Sequence, residues 1–202
     1  MRYPTFFDQV RGITMYDPLA RFLGAAEGGI LDFRYVDAVK SAGHSCPTVA
    51  VAWLMTAKGL EALYPRDIPE RGGVRAEFSQ DRTSGVTGVI ANIVSLVTGA
   101  THDTGFKGIA GRFDRRNLLA FNAPLPAEIR FTRLGTGAAV VVSANPAQVP
   151  GDPRLRELMA ACLGDDPSDE MEREFAQAWQ ERVRAILIDH ADDAGLITVA
   201  AA

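Results

Sequence analysis

The strongest hydrophobic signal lies between Pro47 and Pro65, where Val49, Val51, Trp53, Leu54, Met55, Leu60 and Leu63 follow one another. The first half of this run is apolar nearly all round, which predicts a central, buried helix opened by one proline and closed by the other. A second buried helix is predicted over residues 84–98, with Val86, Ile90, Ile93, Val94 and Val97 on its apolar face. Gly85, Gly88, Asn92 and Ser95 form a separate face of small residues. It suits tight packing against a sheet, or the close approach of a ligand or a twin subunit. Upstream, Asp17-Pro18 reads as a cap and first turn for a helix carrying Leu19, Phe22 and Leu23, stopped at Gly28-Gly29. A strand is expected at 30–35 and a short helix at 36–42, ending at Gly43.

Alternation with period two marks the strands. Val74, Ala76 and Phe78 alternate with Arg75 and Glu77 over 73–79. Three more strands are predicted at 117–122, 127–134 and 138–144, the last two joined by the turn Leu134-Gly135-Thr136-Gly137. Beyond residue 150 the pattern returns to helix. Leu155, Leu158, Met159 and Leu163 define one, and Met171, Phe175, Trp179, Val183, Ile186 and Leu187 define another, capped at Asp166-Pro167. Helices mixed with strands that finish as consecutive hairpins imply an α+β class with a mixed β-sheet.

Charge divides the chain where the pattern does. Residues 1–150 carry 16 basic and 13 acidic side chains, and residues 151–202 carry 5 and 12. Val149-Pro150-Gly151-Asp152-Pro153 is the break. The reading is a core domain over 1–150 followed by an acidic helical extension over 151–202, packed on the core or on a partner subunit. The net charge of −4 comes with no basic stripe denser than Arg112-Phe113-Asp114-Arg115-Arg116, so no nucleic-acid partner is expected. No apolar run is long enough to predict a membrane span. Met1 to Thr5 lack the basic and apolar regions of a secretory leader. Two cysteines, Cys46 and Cys162, make no disulfide framework, and a cytoplasmic location is expected.

The densest chemistry is Gly43-His44-Ser45-Cys46-Pro47. Pro47 suits the first helical position and places Cys46 at the cap, where the unpaired N–H groups of a helix start meet the sulfur. Thiols act as nucleophiles or metal ligands in such settings, and His44 is within reach of the same proton or ion. The alternative is a buried structural cysteine beside a surface histidine. A three-ligand metal site needs another donor, and His102 in the glycine-rich stretch 99–111 is the candidate, with Asp103 to orient it. His102 also reads as an ordinary loop histidine. Cys162 and His190 read as packing and surface residues. The stretch lacks the spacing of a phosphate-binding P-loop and follows a helix rather than a strand.

Gly43, His44, Cys46 and Pro47, together with Thr98, Gly99, Thr101, Gly105, Lys107 and Gly108, carry a likeness to a known family. Over residues 35–122 the chain resembles the E-type subunits of formylmethanofuran dehydrogenase. The resemblance implies a thioredoxin-like core, a mixed sheet flanked by helices, and a homodimer. It implies a metal, zinc, near His44 and Cys46; a His/Cys donor set also suits nickel or iron. Some members of the family accompany a larger redox enzyme containing molybdenum or tungsten. Family positions for a helix cysteine, a helix aspartate and a second cysteine hold Val89, Asn92 and Ala100 here, so His102 becomes the replacement ligand. The expected function is a metal-binding protein acting on a small carbonyl or formyl compound. Cys46, His44, Asp103 and Lys107 are the catalytic candidates, with Glu77 a further base and Arg112 a further anion binder. The alternatives are an accessory or interaction subunit of a redox enzyme and a single-thiol redox protein.

Overall fold

A computed structural model describes residues 3–202; Met1 and Arg2, part of the stretch read for a leader, lie outside the described residues. A 3₁₀ turn (Thr5–Gln9) leads into β1 (Ile13–Tyr16), a strand that the sequence pattern did not reveal. Ile13 and Met15 are buried while Thr14 faces out, but four residues are too few to establish a period. α1 (Pro18–Leu23) follows, and the Asp17 carboxylate accepts from the N–H groups of Leu19 and Ala20, as the Asp-Pro cap predicts. β2 (Ile30–Phe33) pairs antiparallel with β1. It stops short of the expected residue 35 because Tyr35 already opens α2 (Tyr35–Ala42).

α3 (Pro47–Leu63) is the predicted central helix. Trp53, Met55, Val49, Ala50 and Ala52 have no exposed surface. β3 (Val74–Phe78) comes next, then α4 (Thr87–Thr98). α4 begins three residues later than predicted, since Ser84 to Val86 form turns on Asp81. The small-residue face is therefore split. Gly85 lies outside the helix, and a Cβ on Gly88 would sit 2.8 Å from the Arg82 carbonyl oxygen, so the small residue accommodates the preceding loop.

β4 (Leu119–Ala120) is much shorter than the strand expected at 117–122. Asn117 and Asn122 both adopt φ of 59°, which ends pairing on either side. β5 (Ile129–Arg133) and β6 (Ala139–Ala144) form the predicted hairpin. α5 (Leu155–Cys162) and α6 (Asp169–Arg184) complete the helices. Ser168, not Asp166-Pro167, caps α6: its hydroxyl accepts from the Met171 N–H. α6 widens into a π turn (Ala185–Asp189) carrying Ile186 and Leu187 into the core, and β7 (Ile197–Ala201) follows. The region beyond residue 150, expected to be helical, thus also supplies a strand.

The main sheet runs β4-β3-β5-β6-β7, parallel only between β3 and β4. The described residues form a mixed α/β fold with a mixed five-stranded sheet, six α-helices and the separate β1–β2 ribbon. α3 lies across β5, β6 and β7, and α4 packs against β3. Phe131, Ile129 and Val142 face these helices. The opposite sheet face carries Arg75, Glu77, Arg130 and Thr132. Gly59 permits the approach of α3, since a Cβ there would stand 2.6 Å from the Phe131 ring. Among the described residues no helix is long and apolar enough to cross a membrane.

Candidate functional site

The start of α3 is built as its sequence suggests. Cys46 is extended, Pro47 occupies the first helical position, and the Cys46 Sγ accepts from the Val49 N–H at 3.5 Å. Cys46 is buried, with 8% of its surface exposed. His44, two residues earlier, is exposed, and its Nδ1 lies 3.0 Å from the Ala42 carbonyl oxygen. A carbonyl only accepts, so Nδ1 carries the proton and Nε2 of the neutral ring keeps its lone pair.

Ser45 between them is the anchor. Its carbonyl oxygen accepts from Trp179 Nε1 at 3.0 Å and from Gln180 Nε2 at 3.1 Å. Its hydroxyl donates to Gln180 Oε1, so the Tyr35 hydroxyl must donate to Ser45 Oγ, at 3.1 Å. Burial pushes the Tyr35 hydroxyl well above its ordinary value, keeping it a proton donor. α6 is thereby fastened to the His-Ser-Cys segment.

Beside this fastening lies an open cavity of about 590 Å³ at the start of α3. His44, Cys46 and Pro47 line it together with the apolar Val51, Val86 and Ile90, and with Glu128, Trp179 and Arg182 among others. Arg182 is held by the carbonyls of Val149 and Pro146 at 2.9 and 3.1 Å, and Glu128 Oε1 accepts from the Ala144 N–H at 3.2 Å. The volume and the few converging polar groups match a small-molecule site. Glu128 and Arg182 were not candidates from the sequence, and Trp179 read only as part of an apolar stripe. The one available signal was the tryptophan–arginine pair at i and i+3 on a half-exposed helix face.

The other candidates lie elsewhere. His102 is not among the residues lining this cavity. Its Nδ1 pairs with Asp103 Oδ1 at 2.9 Å on the surface, and its ring lies 6.2 Å from that of Phe121. The His102 contact holds the Asp103 carboxyl below its usual range. Lys107 is exposed in the following loop. Glu77 is on the open sheet face, where two bonds from Arg130, at 2.8 and 2.9 Å, keep its carboxyl low despite partial burial. A carboxylate so held is a poor base. Arg112 lines a different cavity. Cys162 sits at the end of α5 and His190 pairs with Asp193.

Of the metal ligands expected from the sequence, His44 and Cys46 line one cavity and His102 does not. Among the described residues no three His, Cys, Asp or Glu side chains are grouped to hold an ion. His44 and Cys46 supply two donors where a catalytic zinc takes three. The chain matches no family model and no curated protein, so the resemblance rests on its motif residues.

Proposed function

We propose that the cavity at the start of α3 binds a small, largely apolar carbonyl compound and that the Cys46 thiol adds reversibly to it. The observation that supports this best is the cavity itself, an open and mainly apolar cleft of about 590 Å³ lined by both the sulfur-bearing residue and His44. In the addition, sulfur bonds to the carbonyl carbon, the C=O π bond opens, and the thiol proton passes to the oxygen. His44 Nε2 carries that proton across, and Arg182 faces the developing charge. The thioredoxin-like core belongs to the same proposal. Its support is a cysteine–proline step opening a helix that lies on a mixed sheet.

A competing reading is a metal ion on His44 and Cys46, favoured by the Ala42 contact that orients the ring and leaves Nε2 bare. One experiment separates the two. Wild type, Cys46→Ser, His44→Ala and Cys162→Ser are incubated with a carbon-13-labelled four-carbon aldehyde and followed by NMR, beside elemental analysis of each. A saturable sulfur-bound carbon signal, lost in Cys46→Ser and kept in Cys162→Ser, is expected. Equal signal in wild type and Cys46→Ser overturns the proposal. One ion per chain, lost in both Cys46→Ser and His44→Ala, replaces it with the metal reading.

A further inference from the structure

A second cavity, of about 450 Å³, opens on the other side of the cap of α1, lined by Tyr16, Pro18, Arg71, Arg112, Phe113 and Arg115 among others. Behind it Asp17 is buried between two guanidinium groups. Its Oδ2 accepts from Arg71 Nη1 at 3.0 Å and its Oδ1 from Arg115 Nη2 at 2.8 Å. The same Oδ1 also takes the Leu19 and Ala20 N–H groups. Arg71 spends Nε and Nη2 on the carbonyls of Val97 and Leu96 at the end of α4. Arg115 has no such outlet. Only 5% of its surface is exposed, and among the described residues its Nη1 has no hydrogen-bond partner.

A buried cation, Arg115, and a partly exposed one, Arg71, therefore share one buried carboxylate, with Arg115 Nη1 left unpaired among the described residues. An unpaired buried donor carries the whole desolvation penalty of its group, and more when charged. The arrangement is nonetheless built in. Gly72 and Gly99 leave room for the guanidinium, since a Cβ on either would collide with Arg115 Nη1. Arg112, exposed, adds a third cation at the rim and lies 4.9 Å over the Phe113 ring. Phe113 in turn packs 5.5 Å from the exposed Phe22. Two acids also line the cavity. Asp114 is already taken by Arg116, through Nε at 3.0 Å and the backbone N–H at 2.9 Å, and Glu70 is exposed.

We infer that this cavity is a binding site for a small organic oxyanion, a carboxylate or phosphate group held by Arg115 and Arg112 with its carbon part against Phe113 and Pro18. Guanidinium groups suit such oxyanions because their planar donors match two oxygens at once. The site is separate from the Cys46 cavity and does not depend on it.

The test uses inorganic phosphate and benzoate as probes, each titrated by calorimetry at constant ionic strength set with chloride. Saturable one-to-one binding of at least one probe is expected. Phosphate alone identifies a phosphate site and benzoate alone a carboxylate site. Arg112→Ala, a rim substitution outside the buried network, is expected to weaken binding by about tenfold or more. Arg156→Ala, on the exposed face of α5, is expected to leave it unchanged. No saturation by either probe, or equal weakening in both variants, overturns the inference. Arg115→Lys adds a second check, since one ammonium cannot reproduce the fork. If it folds, it is expected to lose probe binding while keeping the Asp17 contact.

Discussion

Gly59 sits inside α3 where helix propensity and packing pull in opposite directions, and Gly59→Ala decides between them. By propensity alone, alanine in a helix interior stabilises by about 1 kcal/mol over glycine. The new methyl, however, would stand 2.6 and 2.7 Å from two carbons of the Phe131 ring and 3.2 Å from Val142 Cγ2. Carbon atoms rest at about 3.5–4.0 Å, so ring and helix must separate by about 1 Å. Phe131 has no exposed surface and lies between α3 and the sheet, so the ring cannot swing out to solvent. Overpacking of this kind costs about 1–3 kcal/mol. The net expectation is a loss of up to about 2 kcal/mol, which for a chain of this length lowers Tm by up to about 8 °C. Calorimetry or thermal circular dichroism of wild type, Gly59→Ala, Phe131→Leu and the double variant gives the coupling directly. The double variant should be more stable than the two single losses predict. If Gly59→Ala melts at or above wild type, the close approach is not what holds glycine at this position.

Asp17→Asn removes the buried carboxylate that accepts from both Arg71 and Arg115 and is expected to destabilise by about 3–5 kcal/mol in urea unfolding. The acid response follows from the same residue. Burial pushes the Asp17 carboxyl up, but the Ala20 N–H, Arg71 and Arg115 together hold it below its ordinary value. Its stabilisation is therefore present above about pH 3.9 and lost as pH falls through the lower folded value; the acid limb of the stability curve should flatten in Asp17→Asn. Trp179→Phe keeps an aromatic ring but deletes the Nε1 bond to the Ser45 carbonyl, at a cost of about 1 kcal/mol or more. Its signature is faster alkylation of Cys46 with little change in far-ultraviolet circular dichroism.

What the sequence disclosed and what it hid divide by distance along the chain. α3, its proline brackets and the Cys46 cap are local, and each can be read from neighbouring residues. The β5–β6 hairpin is equally local, with its turn residues between two alternating runs. β1 and β7 are short, and their burial comes from partners far away in sequence, so four or five residues carry too little pattern. The Cys46 cavity shows the same split. His44 and Cys46 are adjacent and legible, whereas Glu128, Trp179 and Arg182 reach them only through the tertiary fold. Asp17 read as a helix cap, which it is, but its ion pairs with Arg71 and Arg115 span 54 and 98 positions. His102 shows the opposite case: its residue type suggests a partner for His44 and Cys46, and its loop sets it beside Asp103 and Phe121, outside the residues lining the Cys46 cavity.

The bonds from Trp179 and Gln180 to Ser45 join residues 134 and 135 positions apart. At a synthesis rate of about 5–20 residues per second, Cys46 precedes the helix that covers it by roughly 7 to 27 seconds. During that interval the thiol belongs to a chain without its apolar enclosure, open to any oxidant or electrophile that diffuses past. Once α6 docks, access is restricted to what fits the cavity. Selectivity at Cys46 is thus acquired late, and damage to this residue should fall mainly on newly made chains rather than on mature protein.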